Sequence, residues 1–202
     1  MQLRKRNRKI FGVGINDADY NVTKHVSVSG NHRVVWKCPI YGKWVNMLMR
    51  CYSDDYHKRN PTYKGCSVCD EWLIFSNFKT WMEQQDWEDK QLDKDLLKVG
   101  NRIYCPDYCV FVDRKINNFI NGCDKPRSNY MIGAVSFKRD KKFKSECGNP
   151  FTGKREHLGV FDTELEAHLA WKARKHELAC QLADSGYCRD DRVAQALRSR
   201  YL

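Results

Sequence analysis

Leu158-Gly159-Val160-Phe161-Asp162-Thr163-Glu164-Leu165-Glu166-Ala167 decides the fold of the C-terminal half, because a strand end, a cap and a helix start follow one another without a gap. Gly159 permits close packing of the strand, and Phe161 is placed to point into a core. Asp162 or Thr163 supplies the side-chain oxygen that accepts a free N–H of the first helical turn. Glu164 and Glu166 then sit where the helix dipole favours negative charge. Working outward, the pattern predicts strands at about 130–138, 141–147 and 157–161, then a helix over 164–184. Its inward stripe is expected to be Ala167, Ala170, Trp171, Arg174 and Leu178, with the arginine stem snorkelling. Such a three-stranded antiparallel sheet packed on one helix leaves one sheet face open. Period-two alternation assigns Val135 and Phe137 to one side, with Phe143 a further candidate for it, and Ser136, Lys138, Lys142 and Lys144 to the other.

The chain has 202 residues, with 36 Lys and Arg against 25 Asp and Glu, for a formal charge of +11. Length and apolar content support a real core rather than a solvated tail. Charge is partitioned. Residues 125–160 hold nine basic and three acidic side chains, whereas residues 66–97 hold eight acidic and three basic ones. A basic chain that is also rich in aromatics suits a partner with phosphates and stackable bases. The Arg4-Lys5-Arg6-Asn7-Arg8-Lys9 run reads either as an arm along phosphates or as a solvated terminus. Ten cysteines without a secretory leader or an apolar span of membrane length are read as reduced thiols, so no membrane partner is expected.

Gly133-Ala134-Val135, Lys142 to Cys147 and Gly153 to Ala167 together resemble the plant ethylene-responsive-factor (Apetala-two) type DNA-binding domain, which also occurs in phage homing-type endonucleases. The likeness covers about a quarter of the chain. It implies that the open sheet face enters a major groove of double-stranded DNA. Lys138, Arg139, Lys142, Phe143 and Lys144 are then the expected contacts, with Lys154 and Arg155 on flanking phosphates. Two departures matter: Phe143 stands where that family has a tryptophan, and lysines replace most of its base-reading arginines. A lysine lacks the bidentate fork of arginine, so base readout is expected to be modest.

Residues 1–35 read as a basic arm and a possible hairpin, followed by a helix from about Ile40 to Ser53 carrying Trp44, Met47, Leu48 and Cys51. A second helix is expected over 70–85, with Trp72, Phe75, Phe78, Trp81 and Met82 as a core stripe. Leu92–Leu97 and Arg102–Cys105 read as two short strands around Gly100-Asn101, with a helix beginning near Asp113. Arg50-Cys51-Tyr52, Tyr63-Lys64-Gly65, Val68 to Trp72, Leu92 to Asp95, Gly100-Asn101, Tyr104, Pro106, Cys109 and Asn117 as a set look like a phage family related to HNH endonucleases. That resemblance implies a ββα-metal hairpin and helix within residues 36–122, ahead of a DNA-binding module at 130–184 and a tail at 185–202. In such a site a histidine activates water while a divalent ion steadies the leaving oxygen. Mapped here, Asp93 takes the acidic ligand position, Lys94 stands where the histidine is expected, and Asn117 takes the ligand position on the helix.

Two readings stay open at this stage. In one, Asp93 or Asp95 replaces the histidine and the protein cuts DNA with Mg²⁺ held by carboxylates and Asn117. In the other, the scaffold survives and the protein only binds, whether to DNA or, as a phage accessory factor, to RNA or a host protein. Cys66-x-x-Cys69 and Cys105-x-x-x-Cys109 add the possibility of a structural Zn²⁺ site. Phosphate-loop, dinucleotide and Ser-His-Asp signatures are absent. The expectation is therefore an α+β phage protein of HNH-like homing endonuclease type, located in the cytoplasm of the infected cell.

Overall fold

Large aromatics at helical spacing set up the first core. The computed structural model describes residues 9–28, 31–122, 130–137 and 141–202, in which the chain mixes helix and sheet. Contacts divide it into two compact units, Met1–Trp87 with Lys98–Cys109 and Glu88–Leu97 with Val110–Leu202. In the first, β1 (Thr23–Val28) and β2 (Asn31–Trp36) form the expected hairpin. Helix α1 (Pro39–Tyr52) opens on a proline, whose fixed φ suits the first turn, and buries Trp44, Met47, Leu48 and Cys51. Helix α2 (Asp54–Arg59) follows, capped by the Ser53 side chain.

The helix expected over 70–85 is broken. After β3 (Ser67–Val68), a 3-10 turn spans Asp70–Leu73, and α3 runs only over Phe75–Glu83. Between them Ile74 is extended and bridges Ile15 of the N-terminal segment. The Ile15 N–H donates to Leu73 O at 2.7 Å, and the Phe75 N–H donates to Ile15 O at 3.0 Å. A distant backbone therefore takes the groups that would have continued the helix. Trp72, Phe75, Phe78 and Met82 are buried as expected.

Strands near 92–97 and 102–105 form, but not with each other. β4 (Gln91–Asp93) pairs antiparallel with β6 (Val110–Val112), and β5 (Ile103–Tyr104) runs parallel to β3. Asp93 explains part of this: its Oδ1 accepts the N–H groups of Asp95 and Leu96 at 3.0 and 2.7 Å and turns the chain out of β4. β5 is instead held by the Ser67 N–H on Arg102 O and the Cys69 N–H on Tyr104 O.

In the second unit β6 leads directly into α4 (Arg114–Asn121), capped by Asp113. Then come β7 (Ala134–Phe137), β8 (Lys142–Gly148) and β9 (Arg155–Phe161), an antiparallel sheet in sequence order. Helix α5 (Glu164–Ala183) starts at a full capping box: the Glu166 N–H donates to Thr163 Oγ1, and the Thr163 N–H donates to Glu166 Oε2. Thr163, not Asp162, is the cap. Helix α6 (Asp191–Ser199) closes the unit.

One core joins Leu96, Val110, Val112, Ile116, Phe119 and Ile120 to Trp171, Leu178, Leu182, Val193 and Leu197. Contacts thus group the strand pair and α4 with the C-terminal sheet and helices, whereas the sequence divided 36–122 from 130–184. The inward stripe of α5 also differs by one position. Lys175, not Arg174, is the buried cation: it is 1 % exposed, donates to Phe119 O at 2.7 Å, and lies 3.4 Å from the centre of that ring. Arg174 stays at the flank, with Nε on Glu156 at 2.7 Å and Nη1 on Glu177 at 2.6 Å.

Candidate nucleic-acid interface

Alternation along β8 sends Lys142, Lys144 and Glu146 to one side and Phe143, Ser145 and Cys147 to the other. Ser145 and Cys147 are buried, so the lysine side is the open face of the sheet. Phe143 belongs with the covered side: it is half-buried, and its ring meets Tyr130 edge-on at 5.4 Å. It is therefore removed from the set of expected contacts. Val135 is corrected in the opposite sense. Ala134 is the buried residue of β7, and Val135 is 51 % exposed. Gly133 at φ +85 and the Ala134 N–H bond to Met131 O set where β7 begins, and a phase change of one residue reverses every side chain.

Register then places Val135, Lys144 and Val160 in one row across the open face, the second valine being 47 % exposed. The cations there have neighbours that alternation alone did not bring to notice. Lys142 pairs with Asp162 at 2.9 Å, Lys144 pairs with Glu146, and Arg155 reaches Glu146 at 3.6 Å. The Lys144 ammonium holds the Glu146 carboxyl below its ordinary range. The Glu146 position was readable as a same-face neighbour of Lys144 two residues on. Exposed pairs of this kind contribute little and exchange readily for other anions.

Lys154 and Arg155, both exposed, leave a tight turn in which Asn149 Oδ1 accepts the N–H groups of Phe151 and Thr152 at 2.7 and 3.2 Å. Lys138 and Arg139, like Lys125, Arg127 and the Arg4–Arg8 run, lie outside the described residues.

The second candidate site lies on β4 and α4. Asp93 is 7 % exposed, and burial, then the neighbouring Asp95 carboxylate, push its carboxyl above the usual aspartate range. Lys94 pairs with Asp95 at 2.9 Å. The Asn117 amide is committed twice: it donates to Gln91 Oε1, and its Oδ1 accepts from Asn121 at 2.8 Å. Gln91 was not singled out from sequence, although it sits two residues from Asp93 on the same strand.

Among the described residues no group of three or more His, Cys, Asp or Glu side chains is gathered as a metal site. Magnesium takes one or two protein carboxylates and fills the rest of its shell with water and phosphate. Here Asp93 Oδ1 already serves two backbone N–H groups and both ends of the Asn117 amide are bonded, so neither atom set is held open as a ligand. The cysteines fare no better. Cys66, Cys69, Cys105 and Cys109 are not gathered into such a group either. All described cysteines are free of disulfides.

Asp93→Asn should test this reading of the carboxyl. A folded-state pKa above the ordinary value means that stability is full below about pH 3.9 and falls as pH rises through the raised value. The asparagine keeps the turn acceptor but carries no charge. The variant should therefore match the wild type in acid and melt higher than it at neutral pH, read by thermal scans across pH. Lower stability at neutral pH would contradict the assignment.

Compared with protein-family models, with curated proteins and with solved structures, the chain matches none of them.

Proposed function

We propose that this protein binds duplex DNA through the open face of the β7–β8–β9 sheet. The observation that carries the reading is the uncovered face itself, on which Lys142, Lys144 and Arg155 surround two exposed valines. Cations there meet phosphates, and Val135 and Val160 offer the apolar contact that thymine methyl groups take. Carboxylates at Glu146 and Asp162 moderate the attraction, and lysine reads bases poorly, so the grip is tuned for attachment more than for sequence. The order β4, β6, α4 is that of a ββα scaffold. In this proposal it serves as a scaffold without the ion, and no hydrolytic step is derived through Asp93, Lys94, Asp95 or Asn117. Among the described residues no helix is long and apolar enough to cross a membrane.

Lys142→Ala with Lys144→Ala should weaken binding to a random-sequence duplex roughly ten-fold and flatten the salt dependence by about two units of log–log slope. Fluorescence anisotropy at several salt concentrations reads both. An unchanged slope would mean that the face does not touch the backbone.

A further inference from the structure

β1 and β2, six residues each, form a two-stranded ribbon. A lone ribbon buries too little to hold itself. Its base is anchored instead: the N–H groups of Lys37 and Cys38 donate to O of buried Val22 at 2.8 and 3.1 Å. Trp36 lies edge-on to Tyr41 at 5.7 Å and so close over Gly42 that a Cβ there would come within 2.6 Å of the ring. Beyond that base the ribbon is open on both faces. Lys24, His25, Ser27, Arg33 and Val34 are all exposed, and no described side chain from Thr23 to Val35 is buried.

Charge makes the ribbon distinctive. From Tyr20 to Ser53 the chain has Lys24, Arg33, Lys37, Lys43 and Arg50 and no Asp or Glu. Register puts Lys24, opposite Val35, on the same face as Arg33, opposite Val26. Among the described residues neither Lys24 nor Arg33 forms an ion pair. On the C-terminal sheet, by contrast, Lys142 and Lys144 each have a carboxylate beside them. An anchored, acid-free ribbon open on both faces wants an extended polyanion.

Size narrows the choice. Paired strands lie about 4.8 Å apart, and six residues span about 20 Å. The major groove of B-form DNA, about 12 Å wide, admits a two-stranded ribbon, whereas the A-form groove of duplex RNA is too narrow and deep. We infer that the β1–β2 ribbon enters the major groove of duplex DNA as a second contact, with Lys24 and Arg33 on its phosphates and Val26 and Val35, on the same face, toward base edges. The inference rests on the reading of the protein as a DNA binder but uses none of the sheet residues.

The test is anisotropy against salt with the full chain and a duplex of about 30 bp, roughly three helical turns. Lys24→Ala with Arg33→Ala should lower affinity about ten-fold and flatten the slope by about 1.8, while Lys24→Arg with Arg33→Lys retains the slope. No change in the alanine pair, with a loss in Lys142→Ala/Lys144→Ala, overturns the ribbon and leaves the sheet reading standing. The reverse pattern supports the ribbon and removes the sheet. If duplex RNA binds as tightly and loses as much in the alanine pair, the groove assignment is overturned.

Discussion

Gly133→Ala is expected to destabilise the second unit by about 2–5 kcal/mol, combining overpacking at about 1–3 kcal/mol with left-handed strain at about 1–2 kcal/mol. The segment before β7 is sewn onto the first turns of α5. The Met131 N–H donates to Glu164 Oε1, and His168 Nδ1 donates to Ile132 O at 2.7 Å. Gly133 follows at φ +85 with its α-carbon against Trp171, where a Cβ would come within 2.1 Å of the indole Cγ. Trp171 is a core residue and cannot swing away without opening the cluster it shares with Leu178 and Phe119.

Gly153→Ala is the control that separates the two causes. Gly153 also has a left-handed backbone, φ +70, but nothing lies within 4 Å of its Cβ position. It should lose only the conformational share, about 1–2 kcal/mol. Urea denaturation of both variants measures the difference. Equal losses would mean that Trp171 yields and that the close approach is not what fixes β7.

What was legible in the sequence was local. The run from Leu158 to Ala167 carries its strand, cap and helix start in adjacent residues, and the capping box formed as its Thr163 and Glu166 imply. The illegible parts depended on partners far along the chain. Nothing near Ile74 announces a break, because Ile15 makes it. Nothing in Ile103-Tyr104 says that its partner is Ser67-Val68 rather than the strand just before it. Faces failed where phase was unanchored: β7 is too short for its alternation to choose a side, and the side was chosen by Gly133 packing on Trp171. At the candidate ion site the residue types were visible, but their commitments were not. Whether Asp93 is free to ligate depends on the Asp95 and Leu96 amides it already serves, and that is a property of the folded turn.

Trp44→Ala should be the most damaging change in the first unit, at about 4–5 kcal/mol. The side chain is 0 % exposed, and its ring centre lies 5.5 Å from those of both Tyr41 and Phe75. Truncating a tryptophan so placed costs about 3–5 kcal/mol in lost contacts and cavity. A second loss follows, because Trp44 Nε1 donates to Trp72 O at 2.7 Å and that buried carbonyl would lose its donor. The arm would feel it too: Gly14 packs so tightly that a Cβ there would come within 2.4 Å of Leu48 and 3.0 Å of the Trp44 ring. Removing the ring takes away the surface that holds Ile15 against Leu73 and Phe75. Amide exchange should therefore accelerate at Ile15 and Phe75 well before global unfolding. Trp44→Phe keeps most of the packing and should lose only about 1–3 kcal/mol, the share of the hydrogen bond. If the phenylalanine variant loses as much as the alanine one, the carbonyl of Trp72 matters more than the ring. If Ile15 stays protected in Trp44→Ala, the arm is held by its backbone bridge alone, and the break at Ile74 would survive without the core beneath it.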